Sequence, residues 1–194
     1  MRKDLKIIPA IFPMPVLMIA TYNEDGSVDV MNAAWGMAYD FTQIKLNISE
    51  EHKTAENIRR TGCFTVSLAT TETVKESDYF GIVSGNNVKD KFEKTGMTAI
   101  KSEHVNAPII KEYPICMECK AIEIDGEYGV LGEIINLSID EKYLDENGTP
   151  NFSKMNTIAY DPFTHGYYEV TKKVGQAFSD GKELIYKGEL GKWK

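Results

Sequence analysis

Cysteine and histidine are scarce. Three of each occur in 194 residues: Cys63, Cys116 and Cys119, and His52, His104 and His165. An odd, sparse cysteine set argues against a disulfide framework and for a reducing compartment, so a cytoplasmic protein is expected. No histidine falls at a metal-ligand spacing from Cys116 and Cys119, and no metal centre is expected. Nor does any uninterrupted apolar run reach the roughly 20 residues that span a bilayer. The nearest approach, residues 7–20, is broken by Pro9, Pro13 and Pro15. It follows Arg2, Lys3 and Lys6 in the manner of a signal peptide, yet runs directly into a strand and turn and reads as part of the fold. Basic excess is also missing. Lys+Arg 22 against Asp+Glu 29 leaves a net charge of −7, which disfavours tracking nucleic-acid phosphates or anionic membranes. Neither G-x-G-x-x-G nor G-x-x-x-x-G-K-[ST] occurs, so Rossmann and P-loop nucleotide binding lack support. The absence of G-x-S-x-G removes the usual hydrolase elbow.

The residues that are present describe an ordinary globular chain, 42% apolar and 26% charged, of a length that suits one domain over residues 1–194. Residues 16–21 are a short apolar run ending at Asn23-Glu24-Asp25-Gly26, a hairpin signal. Residues 27–32 alternate, with Val28 and Val30 on one face and Asp29 and Met31 on the other. Ile44, Leu46 and Ile48 alternate with polar neighbours in a further strand. Residues 53–60 read as a two-turn helix: Thr54 caps its start, Ala55 and Ile58 face inward, and Gly62 ends it. Residues 64–68 form a strand, and residues 73–83 and 88–94 look helical. Two longer strands, 115–124 and 129–137, are joined through Asp125-Gly126-Glu127-Tyr128, and residues 140–162 read mostly as loop. Many short strands with few helices predict a mainly β (α+β) fold, an antiparallel barrel with helical insertions.

Three segments invite chemistry. Cys116-Met117-Glu118-Cys119 is a C-x-x-C, but it lies inside a strand pattern that turns its two thiols to opposite faces. Thioredoxin-like chemistry wants the first cysteine at a helix N-terminus, so two packing cysteines are the better reading. Ser49 through Ile58 lies where a strand exits and a helix begins. Free backbone N–H groups and the positive end of the helix dipole bind anions there. Ser49 and Thr54 add hydroxyls, and His52, Lys53, Arg59 and Arg60 make the most basic short cluster of the chain. The other reading of this segment is a capped helix with solvated charges, and spacing does not separate the two. In Asn32-Ala33-Ala34-Trp35-Gly36, small residues beside a tryptophan leave room for a flat ligand against backbone amides, with the Asn32 amide as donor and acceptor. The same pattern also describes a strand end with a core tryptophan.

Taken in order, these segments resemble the flavin reductase-like family, which includes the flavoredoxins and has an FMN-binding split-barrel fold. The resemblance rests on the 16–21 strand, the Asp25-Gly26 turn, Asn32-Ala33-Ala34-Trp35, Ser49…His52-Lys53-Thr54…Asn57-Ile58 and Gly62-Cys63-Phe64-Thr65-Val66-Ser67. It continues through Val83-Ser84-Gly85…Asp90-Lys91-Phe92, Ala107-Pro108-Ile109-Ile110 and Gly132-Glu133-Ile134, with a looser match at Tyr160-Asp161-Pro162 and Tyr167-Tyr168. It implies a homodimer with FMN near the dimer interface. Ser49, His52, Lys53, Thr54 and Asn57 would surround the phosphate and ribityl chain, and Asn32, Ala33, Ala34 and Trp35 would line the isoalloxazine. Ser84, Asp90 and Lys91 would approach from the insertion. Where relatives carry arginine in the phosphate loop, this chain has His52-Lys53, and lysine lacks the planar two-pronged donor. Since the flavin supplies the hydride and electron chemistry, no catalytic side chain is expected. Two functions follow from the resemblance: an NAD(P)H-dependent flavin or small-molecule reductase, or a flavoredoxin-type carrier that docks a redox protein.

Overall fold

The computed structural model describes residues 2–125 and 129–185. In chain order its elements are β1 (Met14–Pro15), β2 (Leu17–Tyr22), β3 (Val28–Ala33), β4 (Gly36–Asp40), β5 (Gln43–Leu46), α1 (Lys53–Thr61) and β6 (Cys63–Leu68). They continue with α2 (Val74–Ile82), β7 (Ala99–Lys101), β8 (Pro108–Ile110), β9 (Ile115–Asp125), β10 (Gly129–Ile139), α3 (Phe152–Met155), β11 (Ile158–Tyr160) and β12 (Tyr167–Glu169). The fold is mainly β with helical insertions, as the strand spacing predicts. Part of the turn expected between the two long strands, residues 126–128, lies outside the described residues.

One sheet dominates, with strand order β3-β2-β6-β9-β10-β5-β4 and every neighbouring pair antiparallel. Its two edges are consecutive in the chain: β3 ends at Ala33, β4 begins at Gly36, and only Ala34 and Trp35 lie between. Flat, seven strands would hold the two edges about 29 Å apart, whereas the link from Ala33 to Gly36 reaches at most about 11 Å. The sheet must therefore curl until its edges nearly meet. Gly36 marks the closure, since a Cβ there would run into the Leu17 side chain from β2.

Curling gives the sheet an inside and an outside, and both are buried around β2. Leu17 and Ile19 join Met31, Ile44, Leu46, Ile48, Phe64, Val66, Cys119 and Val130 inside the curl, where Ala55 and Ile58 of α1 plug one end. Val16, Met18 and Ala20 point the other way, into Val30, Ala69, Phe80, Phe92, Ile110 and Tyr113. Burial on both faces is why β2 reads as a continuous apolar run rather than an alternation. Helix α1 ends as its sequence dictates: Gly62 takes the left-handed conformation (φ 68°) and its N–H returns to the Ile58 carbonyl, a conformation that costs glycine nothing sterically.

Two expectations fail. Residues 88–94 are not a helix. They run as turns into a 3-10 segment, Glu93–Thr95, and both Lys91 and Phe92 are buried. Thr54 does not cap α1. His52 occupies the cap position without a side-chain bond, and the Thr54 hydroxyl donates instead to Asp29 Oδ2 at 2.6 Å. Residues 140–162 hold more structure than expected, including α3 and β11, which pairs with β1 and β12. Strand β4, with Met37 and Tyr39 exposed, carries no buried alternation and escapes a sequence reading.

Gly132, at a bulge of β10, lies against the fully buried Phe64 ring, whose Cε1 is 3.0 Å from where a Cβ would stand. Gly132→Ala is expected to lower stability by about 1–3 kcal/mol through overpacking, read as a lower midpoint of urea unfolding.

Candidate functional site

Closure of the sheet brings the start of α1 beside β3, and the segment after α2 folds across both. Between them lies a cleft of about 130 Å³ lined by Asp29, Asn32, His52, Lys53, Thr54, residues 80–85 and Lys91. The loop before α1 is turned by Ser49, whose carbonyl accepts from the His52 backbone N–H at 3.2 Å and contacts His52 Nδ1 at 3.0 Å. Asn86 Nδ2 donates to the Glu51 carbonyl at 2.9 Å and pins the residue 84–87 turn against this loop. Gly85 permits the approach: a Cβ there would overlap the Asp29 carboxylate and stand 3.2 Å from Lys53 Cβ.

The electrostatics of the cleft centre on two buried charges of opposite sign. Lys91 is 4% exposed, and its Nζ sits 5.7 Å over the Phe80 ring. No carboxylate pairs with it within 4 Å among the described residues. Burial pushes its pKa below the ordinary lysine value, and the field of Asp29 opposes that shift. Asp29, 2% exposed, is held by the Thr54 hydroxyl. Lys53 lines the mouth and pairs with Glu56 at 2.8 Å. The first N–H groups of α1, Lys91 and Lys53 form a donor set for a dianionic group, with phosphate the best match.

The structure gathers Asn32, His52, Lys53, Thr54, Ser84 and Lys91 at one cleft. The other candidates lie elsewhere. Asn57 is fully buried behind α1, its Nδ2 donating to Thr21 Oγ1 at 3.0 Å and Asn23 Oδ1 at 2.8 Å. Ser49 is spent in the turn, Asp90 is exposed and paired with Lys94 at 3.0 Å, and the Ala33 methyl is in the core. Ala34 and Trp35 line a second cavity of about 380 Å³ with Ile11, Met14, Pro15, Gly36, Met37, Lys45 and Asn47. Asn32 donates to the Ser77 carbonyl at 2.9 Å and to the Tyr167 hydroxyl at 3.5 Å. Tyr160 lies 6.4 Å from the Trp35 ring. Among the charged residues lining the cleft, Asp29 is the one the sequence reading missed, and an aspartate within an otherwise apolar strand face was the available signal. Cys116 and Cys119 do face opposite ways and are desolvated, their thiols pushed up to about 11 and about 12, far from a reactive thiolate.

Residues 10–160 match the sequence model of the flavin reductase like domain. Among solved structures, the flavoredoxin of Desulfovibrio vulgaris (Miyazaki F) superposes with a TM-score of 0.89 at 33% identity, covering 94% of this chain and 100% of that one. The flavoredoxin of Methanosarcina acetivorans gives 0.82 at 28%, covering 95% and 100%. An FMN-binding domain of a flavin reductase-like enzyme from Shewanella baltica OS155 gives 0.73 at 18%, covering 84% and 88%. The curled sheet is thus the flavin-binding split barrel.

Thr54→Ala is expected to strand the Asp29 carboxylate and cost about 1–3 kcal/mol of stability, measured by urea denaturation, with Thr54→Ser close to the parent because it keeps the hydroxyl.

Proposed function

The chain belongs to the flavin reductase-like family, and we propose that it binds FMN and acts as an NAD(P)H-dependent reductase of a flavin or small molecule. The observation that carries this reading is Lys91, a buried ammonium without a carboxylate partner, opening into a cleft at the N-terminus of α1. A buried cation is costly unless paired, and a phosphate monoester supplies the pair. At about 130 Å³ the cleft falls below the roughly 300 Å³ of pockets that enclose drug-sized ligands. It therefore takes the phosphate end, and the ring lies outside along Asn32, Ala34 and Trp35. Lys91, Lys53 and the backbone N–H groups of Lys53 and Thr54 hold the phosphate, with His52 and Ser84 at its edge. Bound FMN supplies the hydride and single-electron chemistry; the protein binds, orients and limits access to it.

A homodimer accompanies this reading. The chain exposes 12937 Å², against about 9,300 Å² for a compact monomer of this mass. Tyr39, Phe41, Ile122, Ile135 and Leu137 also stand exposed. Apolar surface on this scale is what an obligate dimer covers. No helix among the described residues is long and apolar enough to cross a membrane, and a cytoplasmic location is proposed on the cysteine usage. A second reading, an electron carrier reduced by a redox protein, is favoured by the likeness to the two flavoredoxins over nearly the whole chain.

Purified protein loaded with FMN and desalted is expected to retain an oxidised-flavin spectrum; a colourless product that resists reconstitution overturns the reading. Stopped-flow mixing with NADH or NADPH then separates the alternatives, because rapid bleaching is expected of the reductase and inertness of the carrier. Lys91→Met is expected to weaken FMN binding by about 1.5–3 kcal/mol, the worth of a hydrogen bond to a charged group, while leaving the apo-protein folded. The sign of its pH dependence follows from the lowered pKa. At neutral pH the Lys91 ammonium opposes folding, and that cost vanishes as the pH rises through its folded value toward 10.5. FMN affinity is expected to fall over the same alkaline window, and to persist further in Lys91→Arg, followed by flavin fluorescence.

A further inference from the structure

The polar cleft holds one group that an anion does not explain. Lys91, Lys53 and the first N–H groups of α1 all donate, but Asp29 on β3 lines the same cleft and, when ionised, only accepts. It is 2% exposed. Its Oδ2 takes the Thr54 hydroxyl at 2.6 Å. Its Oδ1 lies under the Gly85 backbone, in the space a Cβ there would need, and receives no hydrogen bond among the described residues. Nor does either oxygen come within 4 Å of the Lys91 ammonium. Among the described residues Asn57 Oδ1 is the one side-chain polar atom both sealed and unpartnered. Asp29 Oδ1 and Lys91 Nζ therefore each keep an opening, and the recess that both residues line is the cleft. A carboxylate offers about four acceptor sites, and burying one with a single donor is costly.

Inorganic phosphate would satisfy the donors and leave its own charge facing Asp29. A phosphate ester with hydroxyls along its carbon chain satisfies both ends, its phosphate toward Lys91, Lys53 and α1 and a hydroxyl donating to Asp29. We propose that Asp29 is a specificity-determining residue that accepts a hydrogen bond from a hydroxyl of the ligand, so that the cleft selects phosphate esters of polyols over alkyl phosphates and inorganic phosphate. Resting on the flavin reading above, this names Asp29 as the acceptor for a ribityl hydroxyl. The selection is strong because an ester without the hydroxyl leaves a buried carboxylate unpaired, and a hydrogen bond to an ionised acceptor is among the stronger kind.

The test titrates apo-protein with D-ribitol 5-phosphate and with n-pentyl phosphate, which keeps the carbon chain and lacks the hydroxyls. Binding is read from the backbone amide NMR shifts of Lys53 and Thr54. D-ribitol 5-phosphate is expected to bind at least roughly tenfold more tightly, the scale of one hydrogen bond to a charged group. Asp29→Asn keeps the side-chain shape and an acceptor for the Thr54 hydroxyl. It is expected to bring the two esters close to parity and, with the like charge removed, to bind pentyl phosphate and inorganic phosphate more tightly than the parent does. A purely structural Asp29 would instead weaken all three ligands together, which overturns the proposal, as does a variant that keeps the parent's preference. Equal affinity of the parent for the two esters overturns it with no variant needed, so the test stands even if Asp29→Asn fails to fold. Flavin retention is read separately in the visible spectrum of FMN-loaded protein. Preference for the polyol ester in a protein that holds no flavin fails the flavin reading and leaves this assignment standing.

Discussion

Everything in this structure depends on the two-residue link between β3 and β4. Opposite edges of a seven-stranded sheet are tied by Ala34 and Trp35, and a chain that short permits only a curled sheet. Once the sheet curls, its interior must be filled, and Phe64, Leu46, Ile19 and the inner face of α1 fill it. Its outside near β2 must be covered, and α2 with the Phe92 segment covers it. The link also stands between the two recesses. Asn32 precedes it and faces the polar cleft, while Ala34 and Trp35 form it and border the apolar cavity. One topological constraint therefore sets two chemically different recesses next to one another.

The polar cleft shows how a protein of net charge −7 keeps a local positive charge. Surface lysines such as Lys94 are neutralised by neighbours such as Asp90. Lys91 is instead desolvated against Phe80 and Phe92 and left without a close carboxylate, so its field is weakly screened and directed into the cleft. Asp29 balances the desolvation without quenching the field, because its nearer partner is the Thr54 hydroxyl. That arrangement gives Thr54 a structural duty and leaves the backbone of α1, Lys53 and Lys91 as the donors of the proposed phosphate site.

Elements whose signal is local were legible. The Asp25-Gly26 hairpin, the α1 helix with its Gly62 stop, and the long β9 and β10 strands each follow from turn chemistry, propensity or alternation within a dozen residues. The resemblance carried by the ordered segments reached further, giving the family and the split barrel. Within the candidate site, His52, Lys53, Ser84 and Lys91, each on a segment carrying that resemblance, line one cleft. Asn57 and Ser49 were drawn in by proximity in sequence, yet one faces the hairpin and the other is consumed in its own turn. The helix expected at residues 88–94 is replaced by turns and a 3-10 segment, because tertiary packing overrode a weak local preference.

By itself the sequence determined the class of the fold and the opposed, strand-borne placement of Cys116 and Cys119, since both depend on residue type and near-neighbour spacing. Only the tertiary structure decided that Asp29 would claim the Thr54 hydroxyl and that Lys91 would be buried without a close carboxylate. Those pairings join residues on separate strands and loops. Their distances are set by how the sheet closes, a quantity that no local pattern encodes.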